Sequence, residues 1–168
     1  AGVKRFIFVS TANTIGLGTE PGNDKPEQRL MAAPFTQSFY ARSKAAAERY
    51  ILSRQKEIEV CIVNPTFMIG PHDSKPSSGK IILMGVKRRV LFYPPGGKNF
   101  VSVTSVAAAI ERCIHAGKNG ERYLLADANM TYWAFFKMLK GQTKKRQLLL
   151  PVPVFILRLA GYAGDALR

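Results

Sequence analysis

The apolar positions of this chain fall into runs of two kinds. Val3-Lys4-Arg5-Phe6-Ile7-Phe8-Val9-Ser10-Thr11 is rich in β-branched and aromatic residues and breaks into Ala12-Asn13-Thr14-Ile15-Gly16. That is the pattern of a buried parallel strand ending in hydroxyl residues and a turn. Ile58-Glu59-Val60-Cys61-Ile62-Val63-Asn64-Pro65 reads as a second such strand, followed by a loop-forming segment, Thr66-Phe67-Met68-Ile69-Gly70-Pro71. Between them, the alanines of Phe39-Tyr40-Ala41-Arg42-Ser43-Lys44-Ala45-Ala46-Ala47-Glu48 favour a helix. Strand, long loop, helix and strand make one β-α-β unit. Its right-handed crossover brings both strand ends to one edge, where ligands of open parallel sheets gather.

The C-terminal half carries weaker patterning. Ser77 to Arg89 predicts a helix, Val90-Leu91-Phe92-Tyr93 a strand and Pro94-Pro95-Gly96-Gly97 a turn. Phe100-Val101-Ser102-Val103 leads into a helix expected over Val106 to His115, capped by Thr104 or Ser105. Arg122-Tyr123-Leu124-Leu125-Ala126 predicts another strand. Thr131 is placed to cap a helix from Tyr132 to Lys140, whose Phe135, Phe136 and Leu139 form an apolar face read as core. The longest apolar stretch, Leu148 to Leu157, is broken by two prolines and followed by Arg158, too short to span a bilayer. It reads as an extended run entering a helix from Val154 to Ala166, with peripheral membrane contact as the lesser alternative.

Chemistry concentrates on the first helix. Tyr40 and Lys44 are four residues apart, on one helical face. An ammonium beside a phenol favours its ionised form, as does a position near a helix start, so the pair can make a proton donor and acceptor. Taken alone, a Y-x-x-x-K is short and common, and its plainest reading is a tyrosine over a core and a solvated lysine. Cys61 and Cys113 have no paired spacing, which points to reduced, packed thiols and a cytoplasmic setting. His72 and His115 lack companions at ligand spacing, so no metal is expected. The formal net charge is +14. Its clusters, Lys4-Arg5, Lys87-Arg88-Arg89 and Lys144-Lys145-Arg146, are short, lack interleaved aromatics and match no RNA module, so nucleic acid is not the expected partner.

Three ordered elements together resemble the extended short-chain dehydrogenase/reductases, the NAD(P)-dependent epimerase/dehydratase family. They are the strand end Val9-Ser10-Thr11-Ala12-Asn13-Thr14-Ile15-Gly16, the Y-x-x-x-K helix from Tyr40 to Lys44, and the N-P-x-x-x-x-G-P run from Asn64 to Pro71. The segments Gly70 to Ile82, Gly97 to Val101 and Gly120 to Leu125 are most similar to the dihydroflavonol-reductase-like and hopanoid-associated sugar-epimerase-like branch. Two departures stand out. The family's usual His after the Val and its acidic residues at the next helix cap are replaced by Ser102 and the Thr104-Ser105 pair. No glycine-rich pyrophosphate turn is present either, since Gly16-Leu17-Gly18 follows the strand that bears the hydroxyls.

The resemblance implies an α/β fold: the second half of a Rossmann-type doubly wound parallel sheet plus a smaller C-terminal substrate-binding region. Residues 1–70 would belong to the nucleotide-binding domain and 71–168 mainly to the substrate region, with some segments returning to the sheet. Ala1 to Lys4 resembles the end of a preceding helix, and both ends read as truncated. It further implies a cofactor, NAD or NADP, and a small-molecule substrate, with a homodimer through helices like the one bearing Tyr40. Tyr40 would pass a proton to or from a substrate oxygen during hydride transfer, and Lys44 would assist it and hydrogen-bond the nicotinamide ribose. Thr11 would polarise the substrate oxygen, with Ser10 as the fallback. Pro65, Thr66, Phe67 and Met68 would lie against the nicotinamide, and Ser78 near the cofactor phosphates. The stretch from Leu17 to Phe39 and that from His72 to Lys80 would wall the substrate. A family-derived scaffold that binds a ligand or partner without turnover is the alternative.

Overall fold

The computed structural model describes residues 2–16, 27, 29–74, 78–143 and 146–166. They form two compact units, 1–68 with 101–127, and 69–100 with 128–168.

In the first unit, β1 (Arg5–Val9), β2 (Glu59–Pro65) and β6 (Glu121–Leu125) form a wholly parallel sheet in the order β1-β2-β6. The register pairs Val9 with Val63 and Pro65 with Leu125. All three strands therefore end at one edge. Helix α1 (Phe39–Ser53) links β1 to β2, and α3 (Val103–Ala116) precedes β6. Side chains alternate along β2. Cys61 and Val63 pack with Cys113, Ile110, Ile7, Val9 and Leu125 on the α3 face, while Asn64 reaches α1 on the other. Covering both faces is what allows a run as apolar as Val60 to Val63, each at most 1% exposed, to serve as the central strand. Gly117 follows from the same packing: a Cβ there would run into the Cys61 sulfur and the Cys113 carbonyl. Arg5 secures the end of α3, donating to the carbonyls of Cys113 and Ile114 at 2.9 and 2.7 Å while pairing with Glu59.

A polar knot lies on the α1 face. Glu48, 4% exposed, accepts from Asn64 Nδ2 at 2.7 Å, lies 2.7 Å from the Thr14 hydroxyl and is ion-paired with Arg122 at 3.0 Å. Asn64 Nδ2 also lies 3.1 Å from the Thr11 carbonyl, and Arg122 donates to the Glu27 carbonyl at 2.9 Å. The 3₁₀ turn Ala12–Thr14, α1, β2 and β6 are thus joined through one carboxylate.

β5 (Gly97–Ser102) pairs antiparallel with β7 (Ala128–Thr131) in a sheet of order β3-β5-β7, β3 being Phe67–Ile69. The remaining elements belong to the second unit. β4 (Val90–Tyr93) and β8 (Leu148–Pro151) form a two-stranded parallel ribbon. Helices α2 (Lys80–Lys87), α4 (Tyr132–Gln142) and α5 (Val154–Ala166) complete it. Phe135 and Phe136 are buried, the first stacked on Phe100 at 4.7 Å, and Gly85 lets α2 approach Phe136 and Leu139. Those aromatics are core.

Several sequence expectations need correction. Residues 2–4 are not helical. The segment after β2 is not wholly loop, because Phe67–Ile69 joins a sheet. Helix α2 stops at Lys87, with Gln147 taking the Gly85 and Arg88 carbonyls, and it starts at Lys80; the expected start at Ser77 lies outside the described residues. Helix α3 begins three residues early, because Ser102, not Thr104 or Ser105, is the cap, accepting from the Ser105 N–H at 2.9 Å. The expected cap at Thr131 and the helix from Val154 to Ala166 match.

Two expectations about stability follow. Glu48→Ala removes the buried carboxylate that faces Thr14 and Asn64 and leaves Arg122 without its ion-pair partner, which should cost about 3–5 kcal/mol in urea unfolding; a loss under about 1 kcal/mol would show that the knot is not a stabilising unit. Burial, reinforced by neighbouring Cys113, pushes the Cys61 thiol up to about 11 from an ordinary 9.0. A raised acid holds its proton longer folded than unfolded, so this contribution is complete below about pH 9 and lost as pH rises toward 11. Stability of the parent should therefore fall more steeply than that of Cys61→Val across this window, and parallel pH curves would contradict the assignment.

Candidate functional site

The carboxyl edge of the parallel sheet collects most of the residues that the sequence singles out. Ser10 follows β1, and its N–H donates to the Val63 carbonyl at 2.8 Å, continuing the ladder one step beyond the strand. Thr11 then leaves the sheet as the cap of the 3₁₀ turn, its Oγ1 accepting from the Asn13 N–H at 3.3 Å. Both hydroxyl residues are buried, Ser10 at 5% and Thr11 at 7% exposure. Ser10 Oγ has no hydrogen-bond partner among the described residues.

Helix α1 opens beside this edge. Ser38 is its cap, accepting from the Ala41 N–H, so Tyr40 occupies the first turn. Ala41, Ala45 and Glu48, spaced by four and three, form the buried face. Lys44 lies next to that stripe. Its ammonium donates to the Val9 carbonyl at 3.0 Å and lies 4.9 Å from the centre of the Phe8 ring. The lysine is thus drawn inward to the last carbonyl of β1 instead of standing in solvent. Tyr40, one turn earlier, is 55% exposed.

Pro65 ends β2, buried, and the Thr66 N–H donates to the Leu125 carbonyl at the end of β6. Thr66, Phe67 and Met68 are half-buried as the chain passes into β3. Thr11, Lys44, Pro65 and Thr66 therefore meet at one sheet edge, with Tyr40 on the helix that carries Lys44. Ser78 belongs to the second unit, where its carbonyl accepts from the Ile81 N–H at the start of α2. Of the expected substrate walls, 17–26, 28 and 75–77 lie outside the described residues, as does most of the Gly16-Leu17-Gly18 segment.

Sequence reading missed the support beneath this edge. Glu48 looked like the end of an alanine-rich helix, yet it stands seven residues from Ala41 on the same stripe, a spacing that marks an inward carboxylate. Arg122 was likewise a lone charge at the head of an apolar strand. Nothing in the residues beside it hints that it crosses to Glu48.

The chain matches the NAD dependent epimerase/dehydratase family over residues 1–126. It is 30% identical over 171 residues to sterol demethylase protein B of Methylococcus capsulatus, covering 100% of this chain and 51% of that protein. To a putative dihydroflavonol 4-reductase of Synechocystis it is 32% identical over 142 residues, covering 78% and 40%. A nucleoside-diphosphate-sugar epimerase from Pseudomonas aeruginosa superposes with a TM-score of 0.77 at 20% identity, covering 95% of this chain and 53% of that structure. The chain spans about half the length of the curated relatives it matches. With a parallel Rossmann-type sheet, a family match over three quarters of its length and relatives in the dihydroflavonol-reductase-like branch, this chain belongs to the NAD dependent epimerase/dehydratase family of extended short-chain dehydrogenase/reductases.

Proposed function

We propose that the chain is part of an NAD(P)-dependent oxidoreductase or epimerase in which Tyr40 exchanges a proton with a substrate oxygen while hydride moves at the adjacent carbon. The observation that carries this reading is the anchoring of Lys44 on the Val9 carbonyl at the sheet edge, one helical turn from Tyr40. A lysine that only solubilised the helix would have no reason to surrender its hydration to a strand carbonyl and an aromatic ring.

The residues fit a nicotinamide cofactor in kind. Lys44 offers a fixed cation with further N–H donors for a ribose. Thr11 uses its oxygen as an acceptor within the turn, which leaves the hydroxyl proton available to a substrate oxygen. Pro65 to Met68 present backbone at the strand ends, where a carboxamide would lie, and Ser78 is assigned to the cofactor phosphates. NAD or NADP supplies the hydride chemistry when bound, and the protein's own part is to orient and to move the proton. The substrate is a small molecule with a carbonyl or hydroxyl carbon. The first unit is the nucleotide-binding portion and the second contributes substrate contacts. A homodimer and a cytoplasmic location complete the reading.

In the full-length enzyme, Tyr40→Phe should lower kcat by about 10²–10⁴-fold while leaving cofactor affinity within about twofold, because only the proton-transferring oxygen is lost. Steady-state kinetics together with cofactor titration test this, and parental turnover by the variant would remove Tyr40 from the mechanism. Lys44→Met should weaken cofactor binding and also lower kcat, at a stability cost of only about 1 kcal/mol for the lost bond to Val9. If cofactor affinity and turnover both survive in a folded Lys44→Met protein, the lysine is merely structural.

A further inference from the structure

Charge is divided very unevenly between the two units. Residues 69–100 and 128–168 hold thirteen of the 25 Lys and Arg residues but only two of the 11 Asp and Glu, which places a formal +11 of the chain's +14 in the second unit. One of those two carboxylates, Asp73, is engaged by the Gly79 N–H at 3.0 Å. Four of these thirteen cations are gathered in space. Arg89, Lys137, Lys140 and Arg146 line one open groove of about 830 Å³ that has no acidic residue in its wall. Among the described residues none of these four forms an ion pair. The helix dipole accounts for Lys140 alone, in the last turn of α4. Two of the others come from strand ends, Arg89 immediately before β4 and Arg146 just before β8.

The same strands present an apolar face. The ribbon is parallel, with Val90 opposite Leu148 and Phe92 opposite Leu150, so these four side chains share one side while Leu91 is buried on the other. Val90 is 43%, Phe92 61% and Leu148 55% exposed. Leu148 also lines the groove. Trp133, half-exposed on α4, lies under the Lys137 ammonium at 4.5 Å. The ribbon therefore begins in unpaired cations and continues into exposed hydrophobics, with an indole alongside a groove-lining cation. A free phosphate would use the first of these and have no use for the second. Nucleic acid would call for stacked aromatics along the groove, which its wall lacks.

We propose that this face of the second unit docks on an anionic lipid bilayer, the groove cations taking headgroup phosphates while Val90, Phe92 and Leu148 enter the boundary of the acyl region. No helix among the described residues is long and apolar enough to cross a membrane. This inference stands apart from the reading of Tyr40, and its test needs no turnover.

The test is co-sedimentation of the full-length protein with vesicles of phosphatidylcholine alone and with about 30% phosphatidylglycerol. The parent should bind the anionic vesicles at least about tenfold more tightly than the neutral ones, and should lose most of that binding in about 0.5 M NaCl. The double variant Arg89→Gln, Arg146→Gln should bind about tenfold or more weakly, and Phe92→Ser several-fold more weakly, with circular dichroism spectra unchanged in both. Equal sedimentation with both vesicle types, or with neither, overturns the proposal, and this arm needs no variant. So does parental binding by the double variant. Displacement by millimolar inorganic phosphate at fixed ionic strength would make the groove a free-anion site, and tighter binding to duplex DNA than to anionic vesicles would make it a nucleic-acid site; either result also overturns it.

Discussion

The Glu48 carboxylate is the point on which the geometry of the first unit turns. A carboxylate taken out of water is tolerated only when cations and hydrogen-bond donors replace its hydration. Glu48 meets that demand with groups from three separate parts of the chain, Thr14, Asn64 and Arg122. Each donor is therefore held at a specified distance from α1. Because the helix is rigid, the constraint is carried back along it: Lys44 lies one turn before Glu48 and reaches Val9, and Tyr40 lies one turn before Lys44. Placement of the phenol thus depends on a charge it does not touch.

The two units handle charge in different ways. In the first, the cations that approach the sheet are matched: Arg5 with Glu59, Arg122 with Glu48, and Lys44 with a carbonyl and a ring. Matching of this kind fixes geometry, which suits a site whose atoms must meet within fractions of an ångström. In the second, Arg89, Lys140 and Arg146 share one wall without an ion pair among the described residues, which does little for the fold. An unmatched field of one sign instead acts at a distance, on whatever carries the opposite charge.

Much of this was legible in the sequence, for identifiable reasons. Strands β1 and β2 are long apolar runs bounded by turn residues, and α1 is rich in alanine, so local preference and burial agree. Thr131 and the start at Val154 were legible because a cap hydroxyl and a proline mark them. The start of α3 was not, because Ser102, Thr104 and Ser105 are all competent caps and Val103 favours a strand when read locally. β3 was hidden for a different reason: three residues carry no periodicity, and only pairing across the sheet makes them a strand. Of the site, Tyr40 and Lys44 could be paired from their spacing alone, whereas the partner of Lys44 is a backbone carbonyl, which no side-chain pattern can announce. The Glu48 and Arg122 pairing joins residues 74 positions apart, beyond the reach of any local rule.

The choice between the two strand-end hydroxyls rests on how each oxygen is used. Thr11 Oγ1 accepts the Asn13 N–H, so its lone pairs are directed into the turn and its proton is free to point elsewhere. Its backbone carbonyl is occupied as well, accepting from Asn64 Nδ2 and the Thr14 N–H. The residue is therefore held at both ends while one donor stays available, which is what polarising a substrate oxygen requires. Ser10 is as deeply buried but lacks a hydrogen-bond partner for its hydroxyl among the described residues, so nothing there aims the proton. Alternation along the strand also puts the two side chains on opposite faces until the chain turns at Thr11. Orientation, more than proximity, is what favours Thr11.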